Sequence, residues 1–154
     1  MHRKMSTIFT KDQTKFNEIE HTADVGICAN GNTIQELMAN LAFGMLHIIT
    51  GDIEIEATRK HSLFVESPSL VEMIVDWLSE INYLITVNHF LVTGIEIINL
   101  NQNPEHYSMR AELYGKDGAK TELWFKKEIK AVTYHQLVCE KRDEGYIGKV
   151  IFDI

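Results

Sequence analysis

Between residues 32 and 51, apolar side chains fall at Ile34, Leu37, Met38, Leu41, Met45 and Ile48, the three-and-four spacing of one helix face. Asn32 and Thr33 are both good N-cap residues. Each has a Gln or Glu three positions on, Gln35 and Glu36, and Gly51 stands where the helix would end. A second stripe, Leu70, Ile74, Trp77, Leu78, Ile81 and Ile85, follows Ser69, with Glu72 completing a capping box. Glu72, Asp76, Glu80 and Tyr83 take its other face. Elsewhere the period is two. Residues 53–57, 94–100, 107–114, 128–138 and 146–154 alternate as half-buried strands do, and Gly115-Lys116-Asp117-Gly118 reads as a turn between two of them. In residues 128–138, Glu128, Lys130 and Gln136 share the wetter face. Strands outnumber helices and come in consecutive pairs. The pattern predicts an α+β domain: antiparallel sheets of consecutive hairpins with the two amphipathic helices packed on one face.

Length adds that one domain accounts for the chain, since 154 residues can bury a sizeable core without disulfide staples. Residues 1–15 are polar and aperiodic and are expected to form a flexible extension, leaving residues 16–154 as the domain. No apolar run approaches a membrane span, and the basic N-terminus lacks the apolar core of a secretory signal, so a cytoplasmic location is expected. Cys28 and Cys139 lie in apolar, strand-like stretches with no CxxC spacing and read as buried, reduced thiols.

Charge narrows the partners. The 22 acidic side chains outweigh 15 basic ones, for a formal net of −7. Direct nucleic-acid binding is not expected, because phosphate neutralisation needs a basic surface. The short cluster Lys120, Lys126, Lys127 and Lys130 reads as a solvated strand face. Any RNA-linked role would then run through a protein partner.

There is no P-loop, no GxGxxG, no HExxH and no GxSxG. The informative chemistry lies at two distant places. One is Glu20-His21-Thr22-Ala23-Asp24-Val25-Gly26, with a carboxylate three residues from an imidazole. The other is Val150-Ile151-Phe152-Asp153-Ile154, an apolar strand ending in an aspartate beside the α-carboxylate of Ile154. If these meet in space, three carboxylates converge, and all-oxygen ligation suits Ca²⁺, Mg²⁺ or Mn²⁺. On the residues alone a plainer reading is open, with Asp24 as a turn residue and Asp153 as a solvated strand end.

The stretch FNEIEHTADVGICANG at residues 16–31, with its HTADVG core, resembles the opening of the archease family. Residues 32–50 resemble the helix that follows it, and VDWLSEI at 75–81 the family's second-helix segment. IKAVTYH at 129–135 is similar to a characteristic strand, and the terminal Asp153-Ile154 to the closing pair. The resemblance runs in order from residue 16 to 154. It implies a fold related to part of a heat-shock chaperone. It also implies a divalent cation, calcium foremost, on Asp24, Asp153 and Ile154, with His21 as a further ligand or a neighbour of the ligands. The implied partner is an RtcB-type RNA ligase, which rejoins tRNA exons and other broken RNAs. The implied role is that of an activating cofactor protein, not an enzyme, which promotes GTP-dependent guanylylation of the ligase's histidine so that it turns over repeatedly. Lys130 is the implied ligase-activation residue. Departures from the family pattern fall at residues 115–118, at Asn82-Tyr83 and before Lys126. Two other readings of the same residues are a small metal-dependent hydrolase, with His21 or His135 shuttling protons at a metal-bound water, and a metal-stabilised binding module unrelated to RNA. No base-plus-nucleophile constellation favours the first.

Overall fold

The computed structural model describes residues 7–11, 15–20, 24–118 and 125–154. Eight strands and two helices follow one another as β1 (Ile8–Thr10), β2 (Phe16–Glu20), β3 (Asp24–Gly31), α1 (Ile34–Thr50), β4 (Arg59–Ser67), α2 (Leu70–Thr86), β5 (Phe90–Asn103), β6 (His106–Asp117), β7 (Ala131–Arg142) and β8 (Gly145–Asp153). They form two four-stranded sheets, ordered β1-β5-β6-β4 and β2-β3-β8-β7. All pairings are antiparallel. The architecture is α+β, as the pattern predicts.

Both helices begin where their caps place them. The Thr33 hydroxyl accepts from the Glu36 N–H at 3.1 Å, and the Glu36 carboxylate accepts from the Asn32 N–H at 3.3 Å. Ser69 does the same for Glu72 at 3.2 Å, and its hydroxyl donates to the Glu72 carboxylate at 2.8 Å. Gly51, at φ 68°, ends α1 with its N–H on the His47 carbonyl at 2.8 Å. Their packing corrects one expectation. The helices do not line one face: each touches both sheets, α1 chiefly β3 and α2 both β7 and β4. Their shared apolar faces, with Leu37, Met38, Leu41, Trp77, Leu78 and Ile81 all fully buried, form the middle of the core.

Three more expectations differ from what is seen. Residues 53–57 keep their in–out alternation, but among the described residues no strand pairs with them, so they form no ladder. The strand comes directly afterwards, as β4, once the Thr58 N–H reaches the Gly115 carbonyl at 2.8 Å. Ile8–Thr10, within the stretch expected to be a loose extension, pairs with β5. The Gly115–Gly118 stretch is not a turn: β6 runs on through Asp117, and the β5–β6 turn is at residues 104–105.

Gly115 is kept small by a neighbour and not by a turn. A Cβ there would stand 1.9 Å from the Leu91 carbonyl oxygen. Gly115→Ala therefore has to push β5 from β6, and we expect a loss of about 1–3 kcal/mol of stability, read as a lower urea midpoint. An unchanged midpoint would mean that the two strands part freely at this point.

Candidate functional site

The second sheet brings together the two informative ends of the sequence. Asp24 opens β3 and Asp153 closes β8, and the two are direct cross-strand partners. Asp153 is also opposite Ala131, the first residue of β7. Side chains directly opposed in an antiparallel pair point to the same face, about 5 Å apart at Cβ. Asp24, Asp153 and Ala131 thus form one row across three strands. On the other face of the same strands, Val25, Ile27, Val150 and Phe152 are buried in the core. Alternation holds both aspartates outward on a frame anchored by those four side chains.

One row along, Gly26 is opposite Ile151. A Cβ at Gly26 would sit 2.6 Å from the Ile151 side chain and 2.9 Å from the Val150 carbonyl oxygen. A glycine beside Asp24 therefore lets Ile151, 2% exposed, fold down on the outer face. Thr133 closes this row, its hydroxyl donating to the Ile151 carbonyl at 2.8 Å.

The electrostatics of the row are unbalanced. Two carboxylates directly across a ladder repel each other. One oxygen, Asp24 Oδ1, is shut off from solvent with no hydrogen-bond partner among the described residues. A buried acceptor left unmade costs about 1–3 kcal/mol, and more when charged. A cation between Asp24 and Asp153 removes both problems, so the donor set fits a hard divalent ion. Ile154, half-buried, follows directly and adds backbone oxygen to the same strand end. Among the described residues no three His, Cys, Asp or Glu side chains cluster as a metal site. His21 lies outside the described residues.

Lys130 is held at the same place by its backbone, its N–H donating to the Asp153 carbonyl at 2.8 Å. Its side chain is exposed, in agreement with the wet face expected, but it precedes β7 and does not lie within a strand from residue 128. Ile129, just before it, is buried, and its carbonyl accepts from Asn82 of α2 at 2.9 Å. Lys126 and Lys127 are exposed in the same irregular stretch, and Lys120 is outside the described residues. His135 is exposed in the part of β7 where the register with β8 breaks, between Thr133 and Val138. It does not join the aspartates in that row.

The cysteines are half-buried, not buried. They fall on opposite faces of the second sheet: Cys28 is opposite Lys149, and Cys139 opposite the next residue, Gly148. Burial, and then the Glu140 carboxylate, push the Cys139 thiol above its ordinary range, so it stays protonated and unreactive at neutral pH. Sequence periodicity gives no sign of Ala131 or of the Gly26–Ile151 contact. Both follow from register.

Known proteins share this fold. The family model described as the archease protein family matches residues 16–154. The archease of Methanosarcina acetivorans is 37% identical over 142 residues, covering 91% of this chain and 96% of its own. That of Methanosarcina barkeri is 34% identical over 140 residues with the same coverage. The solution structure of protein 1598 of Methanobacterium thermoautotrophicum superposes with a TM-score of 0.78 at 23% identity, over 90% of this chain and 98% of that one. The crystal structure of a Thermotoga maritima archease, described as a possible chaperone, gives 0.55 at 23% identity, over 88% and 94%. The chain belongs to the archease family.

Proposed function

We propose that this archease is a metal-binding accessory protein of an RtcB-type RNA ligase. It promotes the ligase's GTP-dependent guanylylation and repeated turnover in tRNA splicing, and joins no RNA itself. The observation that supports the metal part is the Asp24–Asp153 cross-strand pair with its unpartnered, buried Asp24 oxygen. Family membership supports the partner. Asp24, Asp153 and a backbone oxygen of Ile154 would hold calcium, or magnesium or manganese in its place. The bound ion would supply the positive charge that neutralises the row. The chain's own residues do the rest. Val25 and Phe152 fix the strand ends, and the Lys130 N–H fixes the Asp153 carbonyl. The exposed Lys130 side chain would then meet a phosphate or a carboxylate of the assembled ligase. The net charge of −7 fits a protein that works through a partner and not on RNA directly.

The test mixes a cognate ligase, GTP and cleaved RNA in excess over ligase, with and without this protein. Many joined RNAs per ligase are expected only with it, and none from the protein alone. Unchanged ligase turnover would refute the partnership, and joining by the protein alone would make it an enzyme. Lys130→Ala should fold normally and activate poorly. Full activation by that variant would remove Lys130 from the mechanism.

A further inference from the structure

The outer face of α2 has a composition that the ion site does not use. Glu72, Asp76, Glu80, Tyr83 and Val87 recur at helical spacing, and α2 contains no basic residue. Tyr83 is 55% exposed and Val87, just past the helix, 52%. On the flank of the helix, β7 presents Tyr134, also 55% exposed. β7 packs against α2 on this flank, and burial, then the charges of Asp76 and Glu72, raise the pKa of that phenol above its ordinary value. Asp76 and Glu72 accept hydrogen bonds from Ser67 and Ser69, at 2.5 and 2.8 Å, which orient them without neutralising them. Among the described residues, none of Glu72, Asp76 and Glu80 has a cationic partner in an ion pair.

We propose that this face docks a protein segment rich in arginine. Carboxylates take the guanidinium in a two-pronged hydrogen bond, and a tyrosine ring takes its flat side, so arginine fits this mixture better than lysine does. Tyrosine is also among the side chains enriched at the energetic centres of protein interfaces. A nucleic acid is disfavoured here, because three carboxylates face it with no cation between them. Asn82, between Glu80 and Tyr83, ties the helix to the Ile129 carbonyl, one residue before Lys130. The face therefore adjoins the strand end that carries Asp153. The proposal does not depend on the identity of the ligase.

The experiment is a titration of an arginine nonapeptide into the isotope-labelled full chain, followed by amide NMR. Expected are shifts confined to the exposed positions of α2 and to the surroundings of Tyr134, with several-fold weaker binding of a lysine nonapeptide. Glu80→Lys, and separately Tyr83→Ser with Tyr134→Ser, should weaken binding by about tenfold. Glu105→Lys, the same charge change in the β5–β6 turn, should leave it within about twofold. All the substituted side chains are exposed, and a dispersed spectrum confirms that each variant is folded. Shifts scattered over the surface, or equal losses from Glu80→Lys and Glu105→Lys, would overturn the proposal by showing attraction to bulk charge alone. So would equal shifts of this face by an oligonucleotide, or by raising the protein's own concentration.

Discussion

Trp77→Ala is expected to lower the free energy of unfolding by about 3–5 kcal/mol, a large share of the ~5–15 kcal/mol that holds a domain together. Trp77 is 0% exposed, and its indole N–H donates to the Met38 carbonyl at 2.9 Å. The ring joins α2 to α1 in the middle of the core, where the surroundings have little freedom to collapse into the space left. Urea unfolding followed by circular dichroism reads the loss as a lower midpoint at an unchanged slope. Trp77→Phe keeps part of the volume but no donor, and should cost about 1–3 kcal/mol. If alanine cost no more than phenylalanine, the volume of the indole would be irrelevant and the helix contact would rest elsewhere.

Replacing both aspartates of the row, Asp24→Asn with Asp153→Asn, is expected to weaken calcium binding by about a hundredfold or more, taking roughly tenfold for each charge removed. The sign of the stability change separates this from general damage. Without calcium, the double variant should be at least as stable as the native chain, because the repulsion between opposed carboxylates is gone. With calcium in excess it should be the less stable of the two, because only the native chain gains from the ion. Calorimetric titration gives the affinities, and thermal unfolding with chelator or with calcium gives the signs. Equal affinity for calcium in the two proteins would place the ion away from Asp24 and Asp153.

The elements whose signals are local were open to a reading of the sequence. Both N-caps, the Gly51 terminus and the helical stripes stand where the residues put them, because a cap bond spans only three positions. Elements decided by a distant neighbour were not. Residues 53–57 alternate as clearly as β4 does, yet only β4 has β6 beside it. Period two shows that one side of a segment is buried and is silent about what lies along its edge. Gly-Lys-Asp-Gly has turn chemistry, but at Gly115 the Leu91 carbonyl sets the requirement for a small residue. The site divides in the same way. Asp24 and Asp153 attract notice as carboxylates at strand ends, and their convergence was a condition that spacing left open. The β3–β8 register meets that condition, while the shielded Asp24 oxygen is a property of the packed surroundings alone.

In the second sheet β8 lies between β3 and β7, although it follows both in the chain. Its hairpin with β7 closes through a two-residue turn, whereas its other edge must find β3 with nearly the whole chain looped out between them. Loop closure of that length is entropically costly, and contacts so far apart in sequence slow folding. The β5–β6 hairpin and the α1–β4–α2 run can gather first, and the second sheet closes late. Until it does, β3 offers the open edge from which chains aggregate. The meeting of Asp24 with Asp153 is therefore a marker of completed folding, and an ion that needs both would bind only chains that have reached it.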